Sequence, residues 1–86
     1  MHRATQRFWK CFGGLPEPIQ ELANRNFHVL KSDPRHPSLH FKKIGQFWSV
    51  RVGLDYRALA VEDMEDFVWV WIGTHNDYER MIKDMG

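Results

Sequence analysis

The sequence predicts an α+β fold in which two N-terminal helices form an αα-hairpin on a mainly antiparallel four-stranded sheet, and a short helix follows at the C-terminus. Two features predict it. Apolar residues recur at helical spacing up to residue 30, and from residue 39 onward they form short runs between turn residues. The 86 residues show no repeat and no linker, so we expect a single domain, residues 1–86.

The first helix is expected to begin after Thr5, whose side chain can cap the first turn. Its apolar side chains share one side of the helix and are Phe8, Trp9, Phe12 and Leu15. The pair Gly13-Gly14 ends it, because glycine has low helix propensity.

Pro16 and Pro18 mark the start of a second helix, since proline is tolerated in a first turn whose N–H groups have no partner. The residues that share the largely apolar face of this helix are Ile19, Leu22, Ala23, Asn26, Phe27 and Leu30. The segment Ser32-Asp33-Pro34 ends it. Two such helices with a short connection form a hairpin, and its apolar faces are expected to pack against a sheet.

Four strands are expected after this hairpin, and their short connections imply antiparallel neighbours. They are residues 39–44, 47–52, 56–61 and 67–72. The last one, Phe67–Ile72, consists entirely of β-branched or aromatic residues, which is typical of a strand covered on both faces. After Gly73, Thr74 or Asn76 can cap a terminal helix that reaches about Lys83.

Composition and charge limit the class of protein. The single cysteine, Cys11, excludes an intramolecular disulfide, and we expect a cytoplasmic protein. No apolar segment resembles a signal peptide or approaches the roughly 18 residues of a membrane span. Residues 1–43 carry eight Lys/Arg against three Asp/Glu, and residues 44–86 carry four against eight. The basic half is either a set of solvated faces or a surface that meets phosphate.

Basic residues recur at the strand ends and beside the terminal helix. They are Lys42, Lys43, Arg51, Arg57 and His75, with Tyr78 three residues after the histidine. Because burying a lone guanidinium is costly, each arginine is expected either to pair with a carboxylate or to face a functional concavity. The carboxylates for the first alternative are Asp55, Glu62 and Asp66. The number of cations favours the second alternative, an anion-binding surface.

His75 has a side chain suited to proton transfer near neutral pH. Arginines beside it can stabilise a pentavalent phosphorane while the imidazole exchanges a proton with an RNA hydroxyl, a reaction that needs no metal ion. The sequence contains no Gly-rich phosphate loop, zinc-type Cys/His spacing or nucleophile elbow. His36 and His40 lie four residues apart, but Pro37 between them and the lack of a carboxylate cluster argue against a metal site. No cofactor is expected.

The chain resembles the RelE/ParE superfamily of toxins from bacterial type II toxin–antitoxin systems over nearly its whole length. The segments that carry the resemblance are Trp48–Leu59, Trp71–Tyr78, Leu15-Pro16, Asp33-Pro34 and Pro37-Ser38-Leu39. Many members open with an edge strand before the first helix. In this chain Met1 to about Ala4 is the only segment for it, so that strand is expected to be short or missing.

The resemblance implies a ribosome-dependent endoribonuclease of the RelE-like or HigB-like branch, an mRNA interferase that inhibits translation. In that branch the neighbouring 2′-hydroxyl attacks the scissile phosphate. Carried onto this chain, Arg57 would stabilise the phosphate, His75 would act as general acid or base, and Tyr78 would orient substrate or imidazole. The supporting residues for phosphate or RNA binding would be Arg51, Lys42 and Lys43.

Two other functions stay open from the sequence alone. ParE-like toxins share the fold and inhibit DNA gyrase without being enzymes, and an inactive relative would serve only to bind an antitoxin. Each function implies a cognate antitoxin in a hetero-oligomer, and the first adds the ribosome and mRNA; none implies a membrane. An antitoxin would cover apolar surface expected around Phe47, Trp69 or Trp71.

Overall fold

A five-stranded sheet with helices on both faces forms the domain. The computed structural model describes residues 1–85, with the side chains of residues 1–84. Its elements in chain order are β1 (His2–Ala4), α1 (Gln6–Gly13), α2 (Glu17–Ser32), a 3₁₀ turn (Pro37–Leu39), β2 (Lys42–Ile44), β3 (Phe47–Val52), β4 (Tyr56–Asp63), β5 (Asp66–Thr74) and α3 (His75–Met85). The strand order is β1-β5-β4-β3-β2, in which β1 is parallel to β5 and the other neighbours are antiparallel.

The prediction of four strands is wrong by one. Residues His2–Ala4 form the short edge strand β1, which pairs with residues 67–69 of β5. Three residues carry no alternation that could indicate a strand, and an edge strand of this length is held by its partner rather than by propensity. The next predicted strand is shorter than expected, because Leu39 ends the 3₁₀ turn and only Lys42–Ile44 pairs with β3.

The helices begin and end close to the predicted signals. The Thr5 hydroxyl accepts a hydrogen bond from Phe8 N at 3.1 Å and caps α1. The second helix follows Pro16 and ends before Asp33, and α3 begins at His75 directly after β5. Within the described residues, none of these helices has the length and apolar character to cross a membrane.

The sheet separates two apolar clusters. The larger one lies between the sheet and the α1–α2 hairpin, and its buried members are Leu30, Leu39, Val50, Val52, Ala58, Ala60, Trp69 and Ile72. The smaller one lies beneath α3 and consists of Leu59, Trp71 and Tyr78. The strands β4 and β5 are therefore covered on both faces, as the apolar run of β5 predicts.

A β-bulge in β5 decides which tryptophan faces which cluster. The pairing with β4 skips Val70, so this residue is an insertion in the ladder. Because the insertion reverses the alternation, Trp69 and Ile72 both face the hairpin while Trp71 faces α3. The expectation that Trp69 or Trp71 is exposed is wrong, since their exposed fractions are 4% and 9%.

His2 joins β1 to the core. Its ring stacks on Phe67 and meets Phe27 edge-on, with centroid distances of 5.4 and 5.5 Å. Nε1 of Trp69 donates to Nδ1 of His2 at 3.0 Å, which requires an unprotonated Nδ1. Burial lowers the pKa of His2 below its usual 6.5, and the positive charges of the N-terminus and Lys31 lower this pKa further.

This environment predicts that acid weakens the fold through His2. The pKa of His2 is lowered in the folded state, so below about pH 6.5 the unfolded chain binds a proton that the folded chain does not. The free energy of unfolding therefore decreases as the pH is lowered. Urea unfolding between pH 7 and about pH 5 measures this slope. In His2→Gln, which cannot titrate, the slope is expected to be shallower. Equal slopes in the two proteins would contradict the assignment.

Candidate anion-binding site

The predicted site residues lie at the end of the sheet where β3 turns into β4 and β5 runs into α3. Arg51 of β3 and Arg57 of β4 are direct cross-strand partners, and Arg57 also pairs with Gly73 of β5. Because directly opposed residues share a face of the sheet, the two guanidinium groups lie on the face that α3 covers in part. The sheet therefore brings together both arginines that the strand pattern singled out.

Neither arginine forms a salt bridge with any described residue. Two of the three expected carboxylate partners are engaged elsewhere, because Asp66 pairs with the N-terminus and Arg3, and Glu62 accepts from Trp48. The alternative of structural ion pairs is therefore wrong for Arg51 and Arg57.

The positive charges of Arg51 and Arg57 belong to directly opposed positions of neighbouring strands. Like charges at such positions destabilise a sheet, and both side chains are only half-exposed, so water screens them incompletely. Arg57 donates through Nη1 to Tyr56 O at 3.1 Å, and its guanidinium carbon lies 5.8 Å from the centre of the Tyr78 ring. These neutral contacts orient the side chain and leave its charge in place. An anion bound between the arginines would remove the repulsion.

The two lysines of the predicted set face opposite sides of the sheet. Lys42 pairs with Ser49, two residues from Arg51, and so lies on the same face as the arginines. Lys43 pairs with Trp48 on the other face, where its Nζ lies 3.9 Å from Glu62. Only Lys42 is placed to add charge to the arginine pair.

His75 and Tyr78 stand beside the arginines on the first turn of α3. Their rings stack with a centroid distance of 6.1 Å, and Tyr78 is 5% exposed while the His75 side chain is 40% exposed. Nε2 of His75 lies 3.2 Å from Glu79 Oε1, a partner one helical turn further on. The i, i+4 spacing of His75 and Glu79 is readable in the sequence, although the site prediction omitted Glu79.

Backbone contacts fix the position of α3 over this face. The amide of His75 donates to Asp55 O, in the β3–β4 turn, at 2.6 Å. At Gly73 any Cβ would lie 2.4 Å from the Trp71 ring, so this glycine lets the indole lie flat against the strand beneath the site. The site thus has a rigid apolar floor.

Two buried side-chain nitrogens lack a hydrogen-bond partner among the described residues, and both belong to the predicted site. They are Nε of Arg51 and Nδ1 of His75. Buried polar atoms are nearly always paired in folded proteins, so unpaired ones indicate strain or a function. Their occurrence on two members of one site favours a function.

The sequence draws attention to His40 only through its spacing of four from His36, and the structure places it against Arg51. Its Nε2 lies 3.0 Å from Arg51 Nη1, and the backbone oxygen of Arg51 accepts from Asn26 Nδ2 at 3.1 Å. No signal in the sequence indicates the His40–Arg51 contact, because it depends on the turn that follows Leu39. Among the described residues, no three His, Cys, Asp or Glu side chains form a group suited to a metal ion.

An apolar cavity of about 210 Å³ lies on the opposite face, between α1, α2 and β1. Phe8, Phe12 and Phe27 contribute to its wall together with the underlying sheet. Trp9, also at this cavity, is 54% exposed, which is unusual for so large an apolar side chain. Among the described residues, the exposed large aromatic side chain is therefore Trp9 on α1, whereas Phe47 is half-buried against the smaller cluster and Trp69 and Trp71 are buried.

Comparison with known proteins identifies both the family and the fold. The model of the ParE-like toxin domain family matches residues 17–80, well over half of the chain, and this range contains every predicted site residue. No curated protein sequence matches the chain.

Solved structures with the same fold have low sequence identity to this chain. A chain of the RelB-RelE antitoxin-toxin complex from Methanococcus jannaschii superimposes with a TM-score of 0.72 at 14% identity, covering 92% of this chain and 96% of that one. YafQ from Escherichia coli gives 0.69 at 10% identity, with 91% and 96% covered. The toxin-antitoxin complex RelBE2 from Mycobacterium tuberculosis gives 0.66 at 21%, with 87% and 96% covered. These likenesses establish the RelE-like fold.

The opposed arginines predict an unusual response to inorganic phosphate. Phosphate at ten times its dissociation constant should raise the free energy of unfolding of the unaltered chain by about 1.4 kcal/mol. Arg57→Met removes one partner of the repelling pair, so it should cost no more than roughly 0.5 kcal/mol at low salt and abolish the phosphate effect. Urea unfolding with and without phosphate at constant ionic strength measures both quantities.

Arg3→Met is the matched control for this test. Arg3 is ion-paired with Asp63 and Asp66 at 2.8 and 3.3 Å, so its replacement should leave the response to phosphate unchanged. Equal stabilisation of Arg57→Met and of the unaltered chain by phosphate would contradict an anion site at Arg57.

Proposed function

The chain belongs to the ParE-like toxin domain family, and we propose that it is the toxin of a type II toxin–antitoxin system and cleaves RNA at the anion site. One observation carries the proposal of RNA cleavage: Arg51 and Arg57 lie directly opposite each other with no carboxylate partner among the described residues. A binding site for a phosphodiester explains why two such groups are kept together.

The proposed reaction is attack by a ribose 2′-oxygen on the adjacent phosphorus, with breakage of the bond from phosphorus to the 5′-oxygen. The pentavalent intermediate gains negative charge, and preformed guanidinium groups stabilise such charge without reorganising during the reaction. Arg57, held by Tyr56 O and beside the Tyr78 ring, is the main candidate for this role. Arg51 and Lys42 supply further positive charge on the same face.

His75 is the proposed proton-transfer group. In the reaction the 2′-hydroxyl loses a proton and the 5′-oxygen gains one, and an imidazole can serve in either step near neutral pH. The ring is stacked on Tyr78, which restricts its orientation, and its side chain is 40% exposed, so substrate can reach it. Tyr78 is buried and therefore orients the imidazole rather than meeting RNA over a wide surface.

The ribosome is the proposed context of cleavage. The cations of the site gather at one end of the sheet, and the net charge of the whole chain is only +1. Such a surface offers few of the phosphate contacts that give tight binding of free RNA. A ribosome that presents one stretch of mRNA would supply the missing affinity.

A second candidate is inhibition of DNA gyrase without catalysis. The description of the matching family as ParE-like supports it, because the gyrase inhibitors of this superfamily have that name. An inhibitor that only binds has no need of a proton-transfer group, so the pair His75 and Tyr78 favours the ribonuclease.

A cognate antitoxin is the proposed partner, and we assign its main contact to the cavity between α1 and α2. Two of the three similar structures described above are complexes of a toxin with its antitoxin. The exposed Trp9 and the apolar wall would bury surface on binding, and the neighbouring exposed cations Arg7 and Lys10 favour an acidic partner. The proposed contact is therefore an amphipathic segment with acidic residues beside its apolar face.

Brief production of the chain in bacterial cells tests the ribonuclease, with breaks in one cellular transcript mapped by primer extension. Breaks within translated codons are expected for the unaltered chain. His75→Ala should reduce cleavage by about 10²- to 10⁴-fold, and Arg57→Ala by about 10²- to 10³-fold, as loss of a proton-transfer group and of a charge donor do. His28→Ala and Arg25→Ala, both exposed on α2, are controls that should cleave normally.

Other outcomes of this experiment have definite meanings. Cleavage by folded His75→Ala at the normal rate would contradict the role of His75. Growth arrest with intact mRNA would favour the gyrase inhibitor, and a lack of both effects would favour an inactive relative.

Substitution of Trp9 tests the proposed antitoxin contact. Trp9→Asp places a charge in the apolar contact, so the variant should still arrest growth while co-production of the protein that neutralises the unaltered chain no longer restores it. Met64→Asp, at a residue 95% exposed in the β4–β5 turn, is the matched control and should still be neutralised. Full neutralisation of Trp9→Asp would place the contact elsewhere.

A further inference from the structure

We propose that His40 is a positioning residue of the anion site, whose neutral imidazole holds the Arg51 guanidinium for phosphate without cancelling its charge. The inference rests on the proposed function and deepens it, because it concerns how the same site recognises a phosphate group. Its starting point is one contact, Nε2 of His40 to Nη1 of Arg51 at 3.0 Å.

The chemistry of the two groups determines the protonation of His40 in this contact. A guanidinium only donates hydrogen bonds and stays protonated in proteins, so Nε2 must accept through its lone pair. The imidazole is then neutral and carries its proton on Nδ1. Arg51 is thus oriented by an acceptor that brings no negative charge.

Arg3 of the same chain shows how carboxylates, rather than a neutral acceptor, orient an arginine. Its guanidinium lies against the carboxylates of Asp63 and Asp66, which fix the side chain and neutralise it. A carboxylate beside Arg51 would orient that guanidinium equally well, but it would compete with phosphate for the same charge. A neutral imidazole gives the orientation and leaves the charge to the ligand.

The backbone at His40 is strained in a way that places the ring. Its φ and ψ are 46° and 43°, a left-handed conformation that costs a non-glycine residue on the order of 1 kcal/mol or more. The conformation is imposed from both sides, because Leu39 is fully buried and β2 begins at Lys42. The turn therefore directs residue 40 toward β3 instead of continuing the alternation that the sequence suggested.

Arg51 is otherwise prepared to bind a ligand. Asn26 holds its backbone oxygen, and its Nε is buried without a partner. Among the described residues, His40 is the side chain that accepts a hydrogen bond from its guanidinium. Loss of that acceptor should leave the guanidinium less ordered before phosphate binds, and ordering it then weakens the affinity.

Three substitutions separate orientation from charge. His40→Gly tolerates the left-handed backbone and removes the acceptor, whereas His40→Gln and His40→Glu offer acceptors of equal reach that differ in charge. The probe is inorganic phosphate, titrated into each protein and followed through the Nε–Hε NMR signals of Arg51 and Arg57. Urea unfolding of each variant provides the check that it is folded.

The proposal predicts an order of phosphate affinities. His40→Gly should bind roughly tenfold more weakly than the unaltered chain, the effect of one hydrogen bond to a charged group, and His40→Gln should recover most of this loss. His40→Glu should bind more weakly than His40→Gly, because its carboxylate occupies Arg51. In Arg51→Gln, a further His40→Gly change should have no effect on affinity.

Three results would overturn the proposal: equal affinity of the unaltered chain and His40→Gly, equal affinity of His40→Gln and His40→Glu, or no binding of phosphate by the unaltered chain. The outcome is distinguishable from that of the ribonuclease test. The predicted order without cleavage of any transcript would leave the phosphate site standing and remove the enzyme. Cleavage together with phosphate affinities that do not depend on residue 40 would leave the enzyme standing and remove the role of His40.

Discussion

Burial of both faces of β4 and β5 is the constraint on which the rest of this small domain depends. A chain of 86 residues has little apolar surface to spare, and here one sheet serves two cores, a larger one under the α1–α2 hairpin and a smaller one under α3. The bulge at Val70 makes this possible, because it lets Trp69 and Trp71 point into different cores despite their spacing of two. Without that insertion both indoles would lie on one face.

The same constraint positions the candidate site at one end of the sheet. Because α3 must return over the sheet to cover Trp71, the chain has to turn sharply where β5 ends, and the hydrogen bond from His75 N to Asp55 O fixes that turn. The β3–β4 turn provides this oxygen and also sets the register that opposes Arg51 and Arg57. His75 and the two arginines are thus tied to a single rigid corner, which is the preorganisation that the proposed catalysis requires.

Much of the fold and part of the site could be predicted from the sequence, because local patterns encode them. Local patterns predict three of the elements: the cap at Thr5 predicts α1, the apolar stripe predicts α2 and the apolar run predicts β5. Arg51, Arg57 and His75 could be chosen as candidate residues because they lie where predicted strands end. The strand β1 and the bulge depend on tertiary pairing and leave no local pattern. Lys42 and Lys43 were grouped although adjacent strand residues face opposite sides.

Several energetically unfavourable features of this protein lie close to one another. They are all at one end of the sheet and comprise the opposed Arg51 and Arg57, the left-handed backbone at His40 and the unpaired nitrogens of Arg51 and His75. Each costs folding free energy, so a chain with so small a core would lose such features if they had no use. A bound phosphate would offset the arginine repulsion, and His40 orients one of the two groups without charge. Binding of the proposed anionic ligand would therefore return stability that these features cost the fold.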